Sequence, residues 1–584
     1  MPVWVLGFRF IFVALALWPF AGWSSGVLSA KALVWKQLGP FGGPAEYVVT
    51  SPSTPNLLLA GSPNAMLYRS GDGGASWTHL PFPAELASTL HVILPHPSDA
   101  GRILAGVSPD SGGAGLFVSV DGGQGWKGVD AFRGKAVWAL THFPADARIV
   151  VAGVSDGVYQ SENAGDTWRR ISLSRDTNLQ PVVSVAIHPA RQEIIFAGTP
   201  HLPWKTVNGG QAWQSIHAGM LDDSDVFSID VDPRQPSRMF ASACSGIYRS
   251  LTGGATWIKM RGSADASFRT YIIAHDPHKA GRVWAGTTHG LMRSDDGGLV
   301  WRKVSPHSVK SIAFDPRSAG TLFLATRDAG LLKSTSGETF VPINHGFANR
   351  GFFALAAAGG SLWLSGESGG MLTSADGGLE WKKTAANDRV LMMSACANGG
   401  ALFAGGAGFL RQWKSAEQWT PLTEPLRDSL RSVACHGQAL LAVSSRSPYS
   451  SPDAGRTWQL LPSPPDQSIE WNQLAVGADG ALLAATSHGL LRSAAAGRAW
   501  ERAAGDLGAT TVTSVLAHPE RAGHAFAAQY DRIFFSSDDG RVWTPLASQG
   551  LERAAVRALA IVKNQPDRLY ALVAGRGVYY IDLE

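Results

Sequence analysis

Aspartates recur along this chain at nearly even intervals, as a series of calcium ligands or acid/base groups would. Six of them lie in a motif of the form Ser-x-Asp-x-Gly-x-x-Trp, and two further copies have Asn in place of Asp. Eleven steps separate Trp77 from Trp543, over 466 residues, so the mean spacing is about 42. Eight copies are well kept and end at Trp77, Trp126, Trp168, Trp213, Trp301, Trp381, Trp458 and Trp543. Looser or decayed copies end at Trp257, Phe340, Trp419 and Trp500.

Each position in the motif has a folding role that needs no ligand. Asp and Ser side chains hydrogen-bond the backbone of their own turn, and Gly adopts a conformation that strains other residues. The Trp offers a large apolar body for packing. A single carboxylate per repeat makes no paired acid/base site. We therefore predict a structural role for Asp72, Trp77, Asp121, Trp126, Asp296, Trp301, Asp376, Trp381, Asp453, Trp458, Asp538 and Trp543.

The segments between motifs read as short antiparallel strands. An apolar run such as Ser311–Phe314 meets Asp315-Pro316, a second run follows, and Leu331–Ser334 leads into the motif and a final Trp-led strand. Short runs separated by Gly, Pro and Asp favour strands over helices. A period of roughly 40 to 50 residues is the length of one four-stranded propeller blade.

The motif resembles the Asp-box, or BNR, repeat of sialidase-like, sortilin-like and photosystem-assembly-factor-like propellers, and the match covers nearly all of the chain beyond residue 35. This resemblance implies an all-β fold of tandem β-propellers, with the Asp-box hairpin away from the ligand face. Counting repeats predicts about 13 four-stranded blades, more than the roughly four to eight of one ring, so we expect two rings of 7 + 6.

The two ends of the chain complement each other. Three strand-like pieces lie in 556–581 without a final Trp-led strand, and Val34–Leu38 resembles the missing one. We predict that the termini meet in one closing blade, which removes exposed strand edges.

The turns divide the repeats into two types. Asp-Pro, His-Pro or Phe-Pro turns mark most units, whereas units between roughly 350 and 500 use Gly-rich turns. We therefore expect a first propeller of residues 33–303 plus 555–584 and a second of residues 304–554. A simple split near residue 346 is the alternative.

The N-terminal segment indicates the compartment of the protein, and the net charge limits the kinds of partner that we expect. Residues 1–32 hold an apolar stretch, Phe10–Trp23, after Arg9, which predicts a signal peptide or an uncleaved N-terminal anchor. The protein is then secreted or periplasmic, with a membrane reached only through that anchor. A net charge of +4 without a Lys/Arg run argues against nucleic acid.

The three cysteines give no metal signature. Cys396 and Cys435 occupy matching places in consecutive repeats. A disulfide between them is conceivable, but matching positions on adjacent blades need not approach closely enough, so buried thiols are favoured.

Candidate binding residues lie in the loops between the second and third strands and in the loops that join blades, which share the usual ligand face of a propeller. Each taken singly also fits a solvated loop. They are Asp156, Arg269, His289, Asp328, Arg350, Glu367, Glu470, Trp471 and His488. The sequence shows no nucleophile elbow, phosphate loop or metal-spaced His cluster, so we predict no metal, no cofactor and no identified catalytic residue.

Asp-box propellers include glycosidases, so a hydrolase must be weighed. Glycoside hydrolysis needs two facing carboxyls, or a Tyr with an acidic partner. The Arg-Ile-Pro motif of sialidases is absent. The segment Gly61–Arg69 resembles the catalytic segment of two-propeller xyloglucanases, but Pro63 stands where the catalytic Asp belongs. The favoured function is a non-catalytic scaffold that binds a protein or glycan, and a xyloglucanase-like or sialidase-like hydrolase is the alternative.

Overall fold

The structure is a computed structural model of the chain. It describes residues 33–110, 112–173, 177–221, 225–261, 269–366, 370–384, 389–396, 401–406, 409–415, 418–422, 430–464, 469–477, 479–494 and 496–583. The described residues form 53 β-strands and two short 3-10 helices, Asp130–Phe132 and Thr177–Leu179, and no α-helix. The all-β prediction is confirmed.

The N-terminal strand is β1 (Lys36–Gly39), and the next 28 strands form seven four-stranded blades. Blade 1 is β2–β5 (Tyr47–Thr50, Leu58–Gly61, Leu67–Ser70, Thr78–Leu80), blade 2 is β6–β9 (Ser88–Pro95, Ile103–Pro109, Leu116–Ser119, Lys127–Gly128), blade 3 is β10–β13 (Val137–Phe143, Asp146–Val154, Gly157–Ser161, Arg169–Arg170), blade 4 is β14–β17 (Ser184–His188, Arg191–Thr199, Leu202–Thr206, Gln214–Ser215), blade 5 is β18–β21 (Val226–Val231, Met239–Ala243, Gly246–Ser250, Ile258–Lys259), blade 6 is β22–β25 (Thr270–His275, Val283–Thr287, Gly290–Ser294, Arg302–Ser305) and blade 7 is β26–β29 (Val309–Phe314, Leu322–Thr326, Gly330–Ser334, Val341–Pro342).

Six further blades follow. Blade 8 is β30–β33 (Phe352–Ala358, Ser361–Gly366, Met371–Ser374, Lys382–Lys383), blade 9 is β34–β37 (Met392–Ala395, Leu402–Gly406, Phe409–Ser415, Gln418–Pro421), blade 10 is β38–β41 (Leu430–His436, Ala439–Ser444, Pro448–Ser451, Gln459–Leu460), blade 11 is β42–β45 (Trp471–Val476, Leu482–Thr486, Gly489–Ser493, Glu501–Arg502), blade 12 is β47–β50 (Ser514–Ala517, Ala525–Gln529, Arg532–Ser536, Val542–Pro545) with β46 (Ala504–Gly505) added in parallel to β50, and blade 13 is β51–β53 (Val556–Ile561, Arg568–Val573, Gly577–Asp582) with β1.

Each blade is an antiparallel meander whose first strand lies nearest the ring axis. The second strand is buried on both faces because a neighbouring blade covers each side, as in Leu322–Thr326 and Leu482–Thr486. Such strands are continuously apolar rather than alternating. This explains why the sequence shows one short unbroken apolar run in every repeat.

Contacts between first strands close two separate rings. β2 packs against β26, so blades 1 to 7 form the first ring, and Ser311 Oγ lies 3.2 Å from the Val48 carbonyl oxygen across that closure. β30 packs against β51, so blades 8 to 13 form the second ring. The core clusters agree, because Trp77 packs with Phe323 in the first ring and Leu364 with Leu572 in the second.

This partition differs from the expected first ring of 33–303 plus 555–584 and second ring of 304–554. Blade 7 (309–342) packs in the first ring and the C-terminal blade 13 in the second, so the division falls between residues 342 and 352, where the alternative split near 346 lies. The turn type of blade 7, Asp315-Pro316, matches the units of the first ring, but the expected border at residue 304 assigned this blade to the second ring.

The two ends of the chain meet in blade 13. β1 pairs antiparallel with β53, with Lys36 opposite Tyr580 and Gly39 opposite Val578. Trp35 is buried, and its indole N–H donates to the Ala547 carbonyl at 2.8 Å. Leu38 joins the core between blades 8 and 13. The predicted closing blade is confirmed.

The Asp-box turn is held by its own side chains. In blade 1, Ser70 Oγ donates to Asp72 Oδ1 at 2.7 Å and accepts from the Gly74 amide at 2.8 Å. The Ser76 amide donates to Asp72 at 2.9 Å. Gly74 has a φ of +91°, and a Cβ there would lie 2.6 Å from Ile343. Hydrogen bonds from Ser76 lower the pKa of Asp72 to about 2, and those from Thr457 do the same for Asp453.

The motif tryptophans fill space between blades. Trp77 is buried and donates to the Ile343 carbonyl of the preceding blade at 2.7 Å. Trp301 and Trp543 are buried and donate back to the motif glycine carbonyls of Gly298 and Gly540. These contacts are structural, as the sequence pattern indicates.

The second ring contains a disulfide. Cys396 and Cys435 lie at the ends of neighbouring first strands, β34 and β38, with their Cα atoms 5.2 Å apart, and they are bridged. The preference for buried thiols was wrong because the first strands of adjacent blades converge at the ring axis. Cys244 is free.

Deleting residues 33–40 should destabilise the second ring selectively. The deletion removes β1 and Trp35, so β53 becomes an open edge and the core of blade 13 is exposed. We expect aggregation or a sharply lower melting temperature, with amide exchange accelerated in 352–582 and little changed in 47–342. Removing residues 1–30 is the control and should leave melting unchanged. Full stability without 33–40 would show that the closing strand is dispensable.

The Asp-box carboxylates should make stability depend on acidic pH. Because the folded-state pKa values of Asp72 and Asp453 are about 2, below the roughly 3.9 of an unfolded aspartate, their contribution is present above about pH 4 and is lost as pH falls toward 2. An Asn keeps the turn, as Asn163 does by accepting from Thr167 N at 2.8 Å. The melting temperature of D72N/D453N should therefore fall less between pH 4 and 2.

The matched control for that measurement is D130N, which removes a carboxylate whose side chain is 90% exposed outside any motif. D130N should follow the wild-type curve. Parallel curves for the wild type and D72N/D453N would contradict a role of the ionised carboxylates in holding the turns.

Candidate binding site between the rings

Two linkers cross between the rings side by side. Residues 40–46 lead from β1 into the first ring, and residues 343–351 return to the second. Gly42 forms a parallel bridge with Ala348, and the Asn349 amide donates to the Gly42 carbonyl at 2.9 Å. A Cβ on Gly43 would lie 1.9 Å from the Asn349 carbonyl oxygen, so the linkers approach as closely as their backbones allow.

A buried arginine ties the rings together beside these linkers. Arg576, in the loop between β52 and β53 of the second ring, is 2% exposed. Its guanidinium lies 2.8 Å from Glu85 of the first ring and 2.7 Å from Glu552 of the second. His79 lies 2.8 Å from Glu85 and 3.4 Å from Glu552. Burial acts to raise the pKa of Glu85, but hydrogen bonding from His79 and the charge of Arg576 hold it below its ordinary value.

A cleft of about 940 Å³ opens between the rings above this junction. Its floor and walls include the second linker and the loop between β27 and β28. Four cationic side chains line the cleft: Arg327, Arg350, Lys383 and Arg557. Asp328 is the one carboxylate among its described lining residues, and it pairs with His307 at 2.8 Å. The cleft is therefore an environment for anions.

Arg350 is the cation of this cleft whose charge has no described partner. Its side chain is half-buried, and burial lowers the pKa of the guanidinium. It forms no hydrogen bond or ion pair with any residue that the structure describes. A guanidinium removed from water without a partner is costly unless an anion compensates it. Arg557 donates only to the Phe352 carbonyl, at 2.9 Å.

The expected site residues divide between this cleft and other places. Asp328 and Arg350 line the cleft, and Glu367 lies outside the described residues. Arg269 stands at the axial mouth of the first ring, where its guanidinium lies 5.5 Å from the Phe227 ring. Glu470 is exposed in the second ring and pairs with Arg431 at 3.3 Å.

The other expected residues have local roles. Asp156 accepts from Tyr159 at 2.9 Å and pairs with Lys135 at 3.1 Å. The side chains of His289 and His488 hydrogen-bond the adjacent Thr288 and Ser487 in equivalent turns. These three residues are not brought together.

Trp471 is a correction. It was expected on the ligand face, but it is 1% exposed and packs 5.1 Å from Trp500 in the core between blades 10 and 11. Trp471 is the first residue of β42. The bulged residue that follows it, Asn472, faces the axial mouth of the second ring, whereas Trp471 faces the core between the blades.

Sequence reasoning missed Arg327, Lys383, Arg557 and Arg576. Arg327 precedes the expected Asp328, so loop position was an available signal for it. Arg557 and Arg576 belong to blade 13, and their place beside the first ring follows only from the ring partition.

No group of three or more His, Cys, Asp or Glu able to hold a metal occurs among the described residues. Within the same residues, no helix has the length and apolarity to span a membrane.

Comparison with known proteins gives the same fold. Residues 139–395 match the family described as photosynthesis system II assembly factor YCF48. No curated protein matches the sequence. A GH74 xyloglucanase from Xanthomonas campestris superposes with a TM-score of 0.70 at 16% identity, covering 94% of this chain and 100% of that one.

Two further structures are similar over the same extent. A GH74 enzyme from Niastella koreensis gives a TM-score of 0.69 at 14% identity, covering 94% of this chain and 99% of that chain. PorZ, a surface component of the type-IX secretion system of Porphyromonas gingivalis, gives 0.55 at 13%, with 94% and 87% covered. These identities support the fold alone.

The fold and its repeats define a tandem β-propeller built from Asp-box blades. The family match over residues 139–395 and the fold of the structural neighbours support a propeller of the BNR/Asp-box type. Its structural neighbours include both enzymes and a secretion-system component.

Replacing Arg576 with Met should loosen the junction between the rings. Met approximates the length of the side chain but leaves Glu85 and Glu552 without their cation, and breaking a buried pair from one side costs about 3 kcal/mol or more. We expect a lower urea midpoint. R148Q is the control, since that side chain is 73% exposed in a surface pair. An unchanged midpoint for R576M would contradict the junction as a stabilising contact.

Proposed function

We propose that this protein is a non-catalytic propeller outside the cytoplasm that binds an anionic partner, a protein or a glycan, in the cleft between its rings. The observation that carries the proposal is Arg350, a half-buried guanidinium with no partner among the described residues, in the wall of a cleft lined by three further cations. A bound carboxylate, sulfate or phosphate would compensate this charge.

The carboxylates near the cleft fit binding better than hydrolysis. A glycosidase general acid needs a raised pKa and a free carboxyl. Glu85 and Glu552 lie close together beside the cleft wall, but Arg576 and His79 engage both of them, and the pKa of Glu85 is lowered. Asp328 is engaged by His307.

The proposed compartment rests on two features. The disulfide Cys396–Cys435 is the kind of bridge that persists in oxidising surroundings such as the periplasm or the exterior. The N-terminal segment has the pattern of a secretory signal or anchor. The surface location stated for PorZ is consistent with this compartment.

A binding experiment with two polyanions tests the cleft. Retention of the protein by immobilised polyglutamate and by immobilised polygalacturonate should fall in R350Q/R557Q, measured as the salt concentration needed for elution. The control R148Q/R541Q removes the same number of charges outside the cleft, from the start of the second strand of blade 3 and from an Asp-box loop, and should elute like the wild type. Equal elution of both double variants would show that the retention is non-specific.

An activity assay tests the absence of catalysis. Purified protein should release no reducing sugar from xyloglucan, mixed-linkage glucan or polygalacturonate. The alternative is a glycoside hydrolase, which the similarity of the fold to GH74 enzymes suggests. Enzyme-like hydrolysis that is lost in D328N, E367Q or E85Q, with an unchanged melting temperature, would establish this alternative.

A further inference from the structure

The first strands of most blades carry a β-bulge at the same place. In the second ring, the pairing register shifts across Phe353, Arg431, Asn472 and Arg557. All four bulged residues line one cavity of about 790 Å³ at the axial mouth. A bulge adds an unpaired residue and re-aims its side chain, here toward the ring axis.

The first ring has the same bulges with different side chains. The register shifts in blades 2, 3, 5, 6 and 7, at His91, Trp138, Phe227, Tyr271 and Lys310. The bulged residues of the second ring line its axial mouth. Because the first ring has bulges at the same strand positions, we place these five side chains around the axial mouth of the first ring. We call them the collar.

Contacts within the collar agree with this placement. The rings of His91 and Trp138 lie 6.1 Å apart, and Lys310 Nζ lies 3.9 Å from the Tyr271 ring centre. Burial, together with the charge of Lys310, lowers the pKa of His91 to about 4. Lys310 is five blades further along the chain but only two blades away around the closed ring. Both side chains therefore face the same space.

Trp138 supplies a partly exposed aromatic surface with a free polar edge. Its indole N–H has no hydrogen-bond partner among the residues described. Phe227 and Tyr271 are likewise only partly buried. A sugar ring has an apolar C–H face that packs on an aromatic face, while its hydroxyls hydrogen-bond groups at the edge, such as an indole N–H.

Two guanidinium groups stand beside these aromatics without an acidic partner among the described residues. Arg269 lies over the Phe227 ring, and Arg327 donates to Tyr271 Oη at 3.4 Å. Lys310 differs, because Glu46 neutralises it at 2.8 Å. Guanidinium groups bind carboxylates through paired hydrogen bonds, which a neutral sugar would leave unused.

From this combination we infer that the collar of the first ring is a binding site for an acidic oligosaccharide built of uronic acid residues, in which one sugar ring stacks on Trp138 and the carboxylate of another residue is held by Arg269 and Arg327. The site lies on the axis of the first ring; it shares Arg327 with the cleft of the proposed function but not Arg350, Lys383 or Arg557. A nucleic acid would also use aromatics and cations, but the net charge of +4 is too small to favour it.

Calorimetric titration with tetragalacturonate and its methyl-esterified counterpart tests this site. The wild type should bind the acid at least about tenfold more tightly, since a charge-assisted hydrogen-bond pair is worth that factor or more. W138A should weaken both ligands about tenfold, because each loses the stacking surface. R269Q/R327Q should abolish the preference for the acid and leave binding of the ester nearly unchanged.

Matched controls separate this site from the fold and from the cleft. Y530A removes an aromatic side chain that is 63% exposed on the second ring and should bind like the wild type. All variants should keep the wild-type melting temperature. R350Q/R557Q, the cleft variant, should retain the preference for the acid.

Four outcomes would overturn the inference: equal affinity of the wild type for the acid and the ester, unchanged binding in W138A, binding of tetraglutamate or of a single-stranded oligonucleotide as tight as that of tetragalacturonate, or loss of tetragalacturonate binding in R350Q/R557Q alone. The last outcome would place the acidic sugar in the cleft and would leave the proposed function intact.

Discussion

The pairing of β1 with β53 is the constraint on which the rest of the structure depends. Because the N-terminal strand completes the last blade, the chain must leave the second ring at once, build the whole first ring and then return. Both crossings therefore lie at one place, where Gly42 and Ala348 pair. The cleft forms above that crossing, and Arg576 can reach the first ring only because its blade is the one that β1 closes.

The cleft between the rings and the axial mouths of the rings are cationic because many acidic side chains are engaged elsewhere in the structure. The chain has nearly balanced charge, with 50 Lys and Arg against 46 Asp and Glu. Six of its aspartates hold Asp-box turns, and Glu85 and Glu552 pair with Arg576. Some cations on the loop face, such as Lys310 and Arg431, have acidic partners, but Arg269, Arg327 and Arg350 have none among the described residues. A nearly neutral protein thus acquires a locally positive surface by the placement of its acids.

The repeats made the blades predictable from the sequence, because each motif fixes its turn by contacts within eight residues, as Ser70, Asp72 and Gly74 do. The closing strand was predictable because blade 13 lacks a final strand. The ring partition was not, since it depends on which first strands converge, and apolar first strands look alike in both rings. Trp471 was misassigned for a related reason, because a one-residue bulge decides whether a side chain faces the core or the mouth.

The bulged residue of each first strand has a consequence for how such proteins diversify. Because it stands outside the hydrogen-bonded ladder and outside the packed layers between blades, its side chain can be exchanged with little effect on folding. Each ring thus carries a circular set of independently variable positions on an invariant frame. The aromatic set of one ring and the arginine-rich set of the other show that a single chain can present two chemically different sets of side chains by one architectural rule.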